Sequence, residues 1–291
     1  MNVSVIILTF NSRETIQQTL DSARRITDDI HVVDSFSTDE TVALATAAGA
    51  RVVQHEFENY GAQRNWAIEN LPLKYDWELH LDADERLSDE LVAEIGRLNL
   101  SGRIDGYFVP RLIHFLGRPI RHGAMYPIWH MRLFRHGRGR CENRRYDQHF
   151  IAAGETDRLN APMIDDIRMP LGEWVNRHNR WADAEVDEII AGRNPEADDG
   201  LVSARARGNP IERQRAKRQR YDRMPLFLRA FLLFLYRYVF RLGFLDGKEG
   251  LVFFVLQTFW FRFLIDAKLF EGQRLAAADD SAQAPAQSTR T

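Results

Sequence analysis

The run Trp77-Glu78-Leu79-His80-Leu81-Asp82-Ala83-Asp84-Glu85 holds the residues of this chain best suited to chemistry. An alternating apolar stretch reads as a strand and ends directly in Asp-Ala-Asp-Glu. Three carboxylates at one strand end repel one another and lose hydration, and a divalent cation among them offsets both costs. Hard cations such as Mg²⁺ or Mn²⁺ take oxygen ligands, usually one or two carboxylates plus substrate phosphates. The pattern predicts a metal–phosphate site at the carboxyl edge of an α/β sheet. An EF-hand loop starting at Asp82 would need Gly at its sixth position and Glu at its twelfth; Leu87 and Ala93 stand there. A phosphatase-type Asp nucleophile belongs near the first strand of its fold, whereas this motif falls about 80 residues into the chain.

The elements that position this edge are legible upstream. Val3 to Leu8 is a mostly apolar run, as expected for a strand buried on both faces. A helix is predicted from about Arg13 to Arg25, a second strand over Asp29–Asp34, and a helix capped at Ser37–Thr41 and stopped by Gly49. A third strand at Arg51–Gln54, a helix over Asn59–Asn70 and a fourth strand at Trp77–Leu81 follow. Strands alternating with helices imply βαβ units and a mostly parallel sheet. No G-x-G-x-x-G follows the first strand and no G-x-x-x-x-G-K-[ST] occurs, which removes dinucleotide-binding and P-loop readings. The loop Thr9-Phe10-Asn11-Ser12-Arg13 has no glycine, against the glycine-rich loop of a sugar nucleotidyltransferase.

The chain has 291 residues and a net charge of −2, with no global nucleic-acid signature. Its single cysteine, Cys141, excludes an internal disulfide framework and fits a reducing compartment. The first residues lack a basic n-region and a small-residue cleavage site, and read as a strand.

From Gly106 to Phe134 the pattern is β-like, and Arg138–Arg145 reads as a mobile basic loop. Leu171–Ile190 reads as an amphipathic helix. Four segments result: a catalytic domain over 1–200, a basic linker over 201–224, an amphipathic helical hairpin over 225–271 and a disordered tail over 272–291. The linker carries Arg213, Arg215, Lys217, Arg218, Arg220 and Arg223. The two apolar segments of the hairpin are interrupted by Arg229, Arg237, Arg241, Gln257 and Arg262, too often to span a bilayer. A basic run leading into aromatic amphipathic helices predicts peripheral binding to an anionic membrane surface; a core-facing subdomain or a dimer interface is the alternative. Because the candidate donor motifs all lie before residue 90, a fragment ending near Ala204 is expected to be soluble and to bind the donor.

Four motifs occur in order: Thr9-Phe10-Asn11, Val32-Val33-Asp34-Ser35-Phe36-Ser37-Thr38-Asp39-Glu40-Thr41, Gly61-Ala62-Gln63-Arg64-Asn65 and Leu81-Asp82-Ala83-Asp84-Glu85. Together they resemble a family 2 glycosyltransferase of the GT-A fold, a Rossmann-like mixed α/β sheet, here with a C-terminal amphipathic helical extension. Within that family the resemblance is nearest to the lipopolysaccharide-core β-glucosyltransferase group and its exopolysaccharide relatives, which Arg241-Leu242-Gly243-Phe244-Leu245-Asp246-Gly247 also matches. The resemblance implies that Thr9 and Asn11 line the nucleotide pocket, that Asp34 accepts from the base's imide N–H, and that Arg64 contacts the nucleotide. It implies that Asp82 and Asp84 hold Mg²⁺ or Mn²⁺ and orient the sugar diphosphate, with UDP favoured.

Such enzymes invert the anomeric centre, so a general base must deprotonate the acceptor hydroxyl. Relatives place a His-Glu pair after the Arg-Leu-Phe-Arg strand; this chain has Arg132-Leu133-Phe134-Arg135 and then Arg145-Tyr146-Asp147-Gln148-His149. Asp147 is the favoured base, with His149 and Glu142 as runners-up. No Q-x-x-R-W motif is present, which favours transfer of one sugar to a glycolipid or saccharide acceptor at the cytoplasmic face of the inner or plasma membrane. The competing functions are a sugar nucleotidyltransferase and a non-catalytic nucleotide-sugar-binding protein at the membrane.

Overall fold

The computed structural model describes residues 2–142, 144, 147–191 and 202–283. Its first half alternates strands β1 (Ser4–Thr9), β2 (Ile30–Asp34), β3 (Arg51–Gln54) and β4 (Trp77–Asp82) with helices α1 (Ile16–Arg24), α2 (Thr41–Ala47) and α3 (Tyr60–Asn70). Strand β5 (Glu85–Leu87) and helix α4 (Asp89–Ile95) come next. The long β6 (Ile104–Phe115) then pairs with β7 (Arg118–Pro119), β8 (Ile128–Arg135), β11 (Glu155–Arg158) and β12 (Met163–Ile167), while β9 (Gly139–Cys141) and β10 (Phe150–Ala152) form a separate two-stranded sheet.

The main sheet runs β3-β2-β1-β4-β8-β6-β12-β5. Strands β3, β2, β1 and β4 are parallel; β8 enters antiparallel between β4 and β6. Only two residues separate β4 from β5 in the chain, yet they lie four places apart in the sheet, so the sheet curls to bring β5 and β12 back beside the end of β4. The expected mixed α/β fold of GT-A type is present. Val5, Ile7, Val32, Leu79 and Leu81 form one core with Ile16, Leu20 and Ala23 of α1 and Leu91 and Ile95 of α4. Two helix starts at the working edge are capped as their sequences demand. The Asn59 side chain accepts from the Ala62 N–H at 2.9 Å and the Ser88 hydroxyl from the Leu91 N–H at 3.1 Å.

The C-terminal third departs from the composition reading. The segment expected to be a linker contains helix α6 (Pro210–Asp222), opened by a capping box between Asn209 and Glu212 with Pro210 in its first turn. Its basic run is expected to meet anionic headgroups, but Arg215 is buried against Glu142 and Asp147, and Arg218 pairs with Glu185 and Asp222. Part of the expected mobile loop is hairpin: Gly139–Cys141 pairs with Phe150–Ala152, whereas Asn143, Arg145 and Tyr146 lie outside the described residues.

The apolar hairpin, built from α7 (Leu228–Leu235), α8 (Gly247–Phe253) and α9 (Phe261–Gln283), packs on α5 (Leu171–Ala191) through Trp174 and Ala182 of α5 and Phe253, Phe254, Phe261 and Ile265 of the hairpin. Asp246 fixes its tip to the sheet domain: the carboxylate accepts from the His122 N–H at 2.9 Å and bonds His122 Nδ1 at 2.6 Å. Gly123 is required there, because a Cβ would lie 2.2 Å from the Phe254 ring. A buried Arg229–Asp266 pair, at 2.7 Å from Nε, closes the two arms. Helix α9 continues through Gly272 to Gln283, so the segment expected to be tail begins as helix; residues 284–291 lie outside the described residues.

Candidate active site

The strand register sets the site. Thr9 pairs with Asp34 across β1 and β2, and Leu8 pairs with Asp82 across β1 and β4, so Thr9, Asp34 and Asp82 share the carboxyl edge of three parallel strands. Thr9 is buried and its Oγ1 has no hydrogen-bond partner among the described residues. Asn11, at φ +46°, ties the loops together: its N–H donates to Ser37 Oγ at 2.8 Å and its Oδ1 accepts from the Thr38 N–H at 2.8 Å. The buried Asp34 carboxylate accepts from the Ser37 N–H and hydroxyl and from Gln54 Nε2, which fixes its orientation and leaves one Oδ1 lone pair free.

Asp82 is gripped from two sides. Arg64 of α3 donates to Oδ1 at 3.0 Å and Arg132 of β8 donates to Oδ2 at 2.9 Å. Arg132 also bonds buried Glu85, whose other oxygen accepts the Asp82 N–H at 3.0 Å. Burial pushes the Asp82 carboxyl up, but the two arginines outweigh it and hold it well below the usual carboxylate range. Asp84 has the opposite environment. No hydrogen bond or ion pair reaches its carboxylate among the described residues, and burial together with Asp165, Asp82 and Glu85 pushes its pKa up to about 8. Glu85 is pushed up to about 7, first by burial. Asp165, opposite Glu85 on β12, is also raised by burial, and Arg111 lies 3.5 Å from it.

The second polar cluster surrounds the candidate bases. Glu142 is buried with both oxygens occupied: Oε1 accepts the Val202 N–H at 2.8 Å, and Oε2 accepts the His149 N–H and Arg215 Nη2, each at 2.9 Å. Burial alone would raise its pKa, but His149 and Arg215 bring it down to about 2. His149 is buried, with Nδ1 2.9 Å from the Asp147 carbonyl and its ring parallel to His130 at 6.1 Å. Asp147, at φ +56°, bonds Arg215 through one oxygen at 2.9 Å, and its side chain keeps 35% of its exposure. Of the three, Asp147 alone is open to a second reactant.

Helix α3 holds both clusters in place. Asn65 bonds the Cys141 N–H at 2.7 Å and carbonyl at 3.0 Å, and Gly61 sits where a Cβ would meet the Glu142 carbonyl at 2.4 Å. Arg64, between them, lies 5.2 Å from the Phe150 ring.

Residues 4–154 match the model of glycosyl transferase family 2. The chain belongs to that family. An uncharacterized glycosyltransferase of Rickettsia conorii is 42% identical to this family 2 member over 105 residues, 36% of each chain, and one of Rickettsia bellii is 41% identical over the same length. The match thus spans about a third of the length of these curated relatives. Among solved structures, glucosyl-3-phosphoglycerate synthase from Mycobacterium tuberculosis, with Mg²⁺ and UDP, is 16% identical over 69% of this chain and 82% of its own, with a TM-score of 0.45. S. aureus TarS 1–349 is 13% identical over 94% and 92%, with a TM-score of 0.43.

In this family 2 member no group of three or more His, Cys, Asp or Glu side chains among the described residues forms a metal cage. The donor set still fits a hard cation. Mg²⁺ and Mn²⁺ need only one or two carboxylates when phosphates complete the shell, and Asp84 is an unpaired carboxylate facing three others.

The residue reading missed four contributors. Arg132 and Arg215 complete the two clusters, Asp165 adds the fourth carboxylate, and Phe10, Phe36, Phe57 and Tyr60 are exposed aromatics beside the strand edge. Only the aromatics carried a usable sequence signal: Phe10 and Phe36 lie within two residues of a strand's carboxyl end, and Phe57 and Tyr60 flank the Asn59 cap of α3.

Proposed function

We propose that the chain transfers a single sugar, with inversion, from a nucleotide-diphosphate donor to a lipid-linked, lipopolysaccharide or exopolysaccharide acceptor, UDP-hexose being favoured by the motif resemblance. The observation that carries the donor half is Asp84: a carboxylate left without a cationic partner while Asp82 beside it holds two arginines. Asp84, with Asp82 behind it, would hold Mg²⁺ or Mn²⁺, which when bound neutralises the leaving diphosphate. Asp82 is kept ionised and immobile by Arg64 and Arg132. Thr9 and Asp34 offer polar groups for the nucleoside, and the exposed rings of Phe10 and Phe36 offer stacking surface. Asp147 takes the acceptor hydroxyl proton; Arg215 orients its carboxylate, and Glu142 keeps Arg215 in place.

The outer face of the hairpin supports a membrane location; its assignment to the cytoplasmic face rests on the motif resemblance alone. Leu228, Phe231, Leu232, Tyr236, Val239 and Phe240 recur at helical spacing and are exposed, as are Leu251, Val255, Phe263 and Phe270 on the second arm. The helix Gly243–Ala276 is long and apolar enough to cross a membrane, with a mean hydropathy of 1.5, although the sequence interruptions suggested otherwise; 39% of its apolar window is buried within the protein. One face is packed and the other exposed, which fits a helix lying in the interface.

A thermal-shift panel of nucleoside diphosphates with Mn²⁺ tests the donor reading: UDP should raise the melting temperature, since it binds the native state alone. Hydrolysis of UDP-hexose without acceptor then separates an enzyme from a binding protein. A panel in which no nucleotide shifts the transition overturns the proposal.

A further inference from the structure

Three of the arginines that reach the carboxylate cluster are committed within the protein: Arg64 to Asp82, Arg132 to Asp82 and Glu85, Arg111 toward Asp165. Arg177 is not. It projects from α5 one turn before Trp181, over whose ring its Cζ lies at 4.7 Å. Stacking fixes the plane of a guanidinium without using its N–H donors. Among the described residues no carboxylate lies within salt-bridge distance of Arg177 and no hydrogen bond reaches it, although its Nε is buried. Its charge nevertheless acts on Asp84, on Asp165 and on the Tyr60 hydroxyl at the start of α3, so Arg177 and Tyr60 stand around the cluster from different helices. A buried donor left unpaired is costly, and a fold that stacks a cation near Asp84 and Asp165 without pairing it leaves its donors free for an incoming anion.

We infer that Arg177 binds the terminal phosphate of the nucleoside diphosphate, opposite the carboxylate cluster; the assignment rests on the donor reading above. In the transfer, the bond between the sugar's anomeric carbon and the phosphate oxygen breaks and its electron pair stays on that oxygen. The acceptor oxygen bonds the anomeric carbon, and its proton goes to Asp147. The charge gained by the departing phosphate is met by the Arg177 fork, whose two parallel N–H groups match a phosphate edge. The sequence shows Arg177 only as one polar position of a helix some 95 residues beyond Asp82.

Titration calorimetry with Mn²⁺ present tests this with three probes, UDP, inorganic pyrophosphate and uridine. In Arg177→Gln, affinity for UDP and pyrophosphate should fall about 10- to 100-fold, the range for losing a charge-assisted pair of bonds, with uridine unchanged. Arg177→Lys keeps the charge and loses the fork, and should fall between. If Arg177→Gln does not fold, Arg177→Lys carries the test: an intact Tm with several-fold weaker UDP supports the assignment, and unchanged UDP affinity overturns it. Unchanged UDP affinity in a folded Arg177→Gln overturns it, as does an equal loss for UDP and uridine with a lowered Tm, the mark of a packing role. A wild-type protein that binds no nucleoside diphosphate overturns the donor reading and this assignment together.

Discussion

Replacing Arg215 by Met should be among the most damaging single changes in the molecule, although it lies in a segment that composition marks as linker. Arg215 is 8% exposed and donates to Glu142, whose side chain is fully buried, and to Asp147. Removing one partner of a buried pair leaves an uncompensated charge and costs about 3–5 kcal/mol. An independent route gives a similar size. Glu142 is held at about 2 against an ordinary 4.5, and about 1.4 kcal/mol per pH unit makes that about 3 kcal/mol, shared between His149, Arg215 and the Val202 N–H. The expected loss for Arg215→Met is therefore about 3 kcal/mol in urea unfolding followed by circular dichroism, with the m-value unchanged. The Glu142→Gln/Arg215→Met double variant should recover part of the loss, because no buried charge remains unpaired. The pH dependence has a definite sign. A depressed folded pKa gives stability that is present above the unfolded value near 4.5 and is lost as pH falls toward about 2. The gap between wild type and Arg215→Met should thus narrow between pH 5 and pH 3. A loss below about 1 kcal/mol, or a gap independent of pH over that window, would refute the reasoning. By the same argument the fragment ending near Ala204, which lacks α6 and strands Glu142, should be less stable than the full chain.

Asp84→Asn should abolish turnover and the Mn²⁺-dependent UDP shift; retained Mn²⁺-dependent activity sinks the assignment. Because burial and neighbouring carboxylates raise the Asp84 pKa to about 8, its ionised form opposes folding, and stability is lost as pH rises through that value. The metal-free Asn variant should therefore melt no lower than wild type at pH 9. Asp147→Asn should lower transfer roughly 10²-fold or more with near-normal UDP binding; an active Asp147→Asn beside an inactive His149→Ala would move the base to His149. Phe240→Asp with Leu245→Asp should reduce co-sedimentation with anionic vesicles, since both side chains are exposed, Phe240 at 75%. Full-length protein left in the supernatant would instead make the hairpin a packing or dimer element.

Much of the donor edge was legible because it is local. Alternation and apolar runs placed β1, β2 and β4 and the carboxylates after β4, the family resemblance added Thr9 and Asp34, and the parallel register sets Thr9, Asp34 and Asp82 side by side. The helix α6 was missed because charge density outweighed the Asn209–Glu212 capping box, and α9 was cut short at Gly272 because an Ala-rich polar segment lacks a periodic apolar face.

What the sequence could not give was the pairing of charges. Arg64, Arg132 and Arg177 are similar residues on ordinary helices or strands, 18 to 95 positions from Asp82. The order of the sheet decides their different fates. Its curl sets β8 beside β4, so Arg132 meets Asp82 and Glu85, and it returns β12 to β5, so Asp165 joins the carboxylates. Helix α6 carries Arg215 back to Glu142, 73 residues away. Electrostatic pairing acts through space over a few ångströms, whereas sequence pattern reports neighbours along the chain. The carboxylates of the site were therefore written in the sequence, and the fold alone decided which of them were neutralised and which was left open.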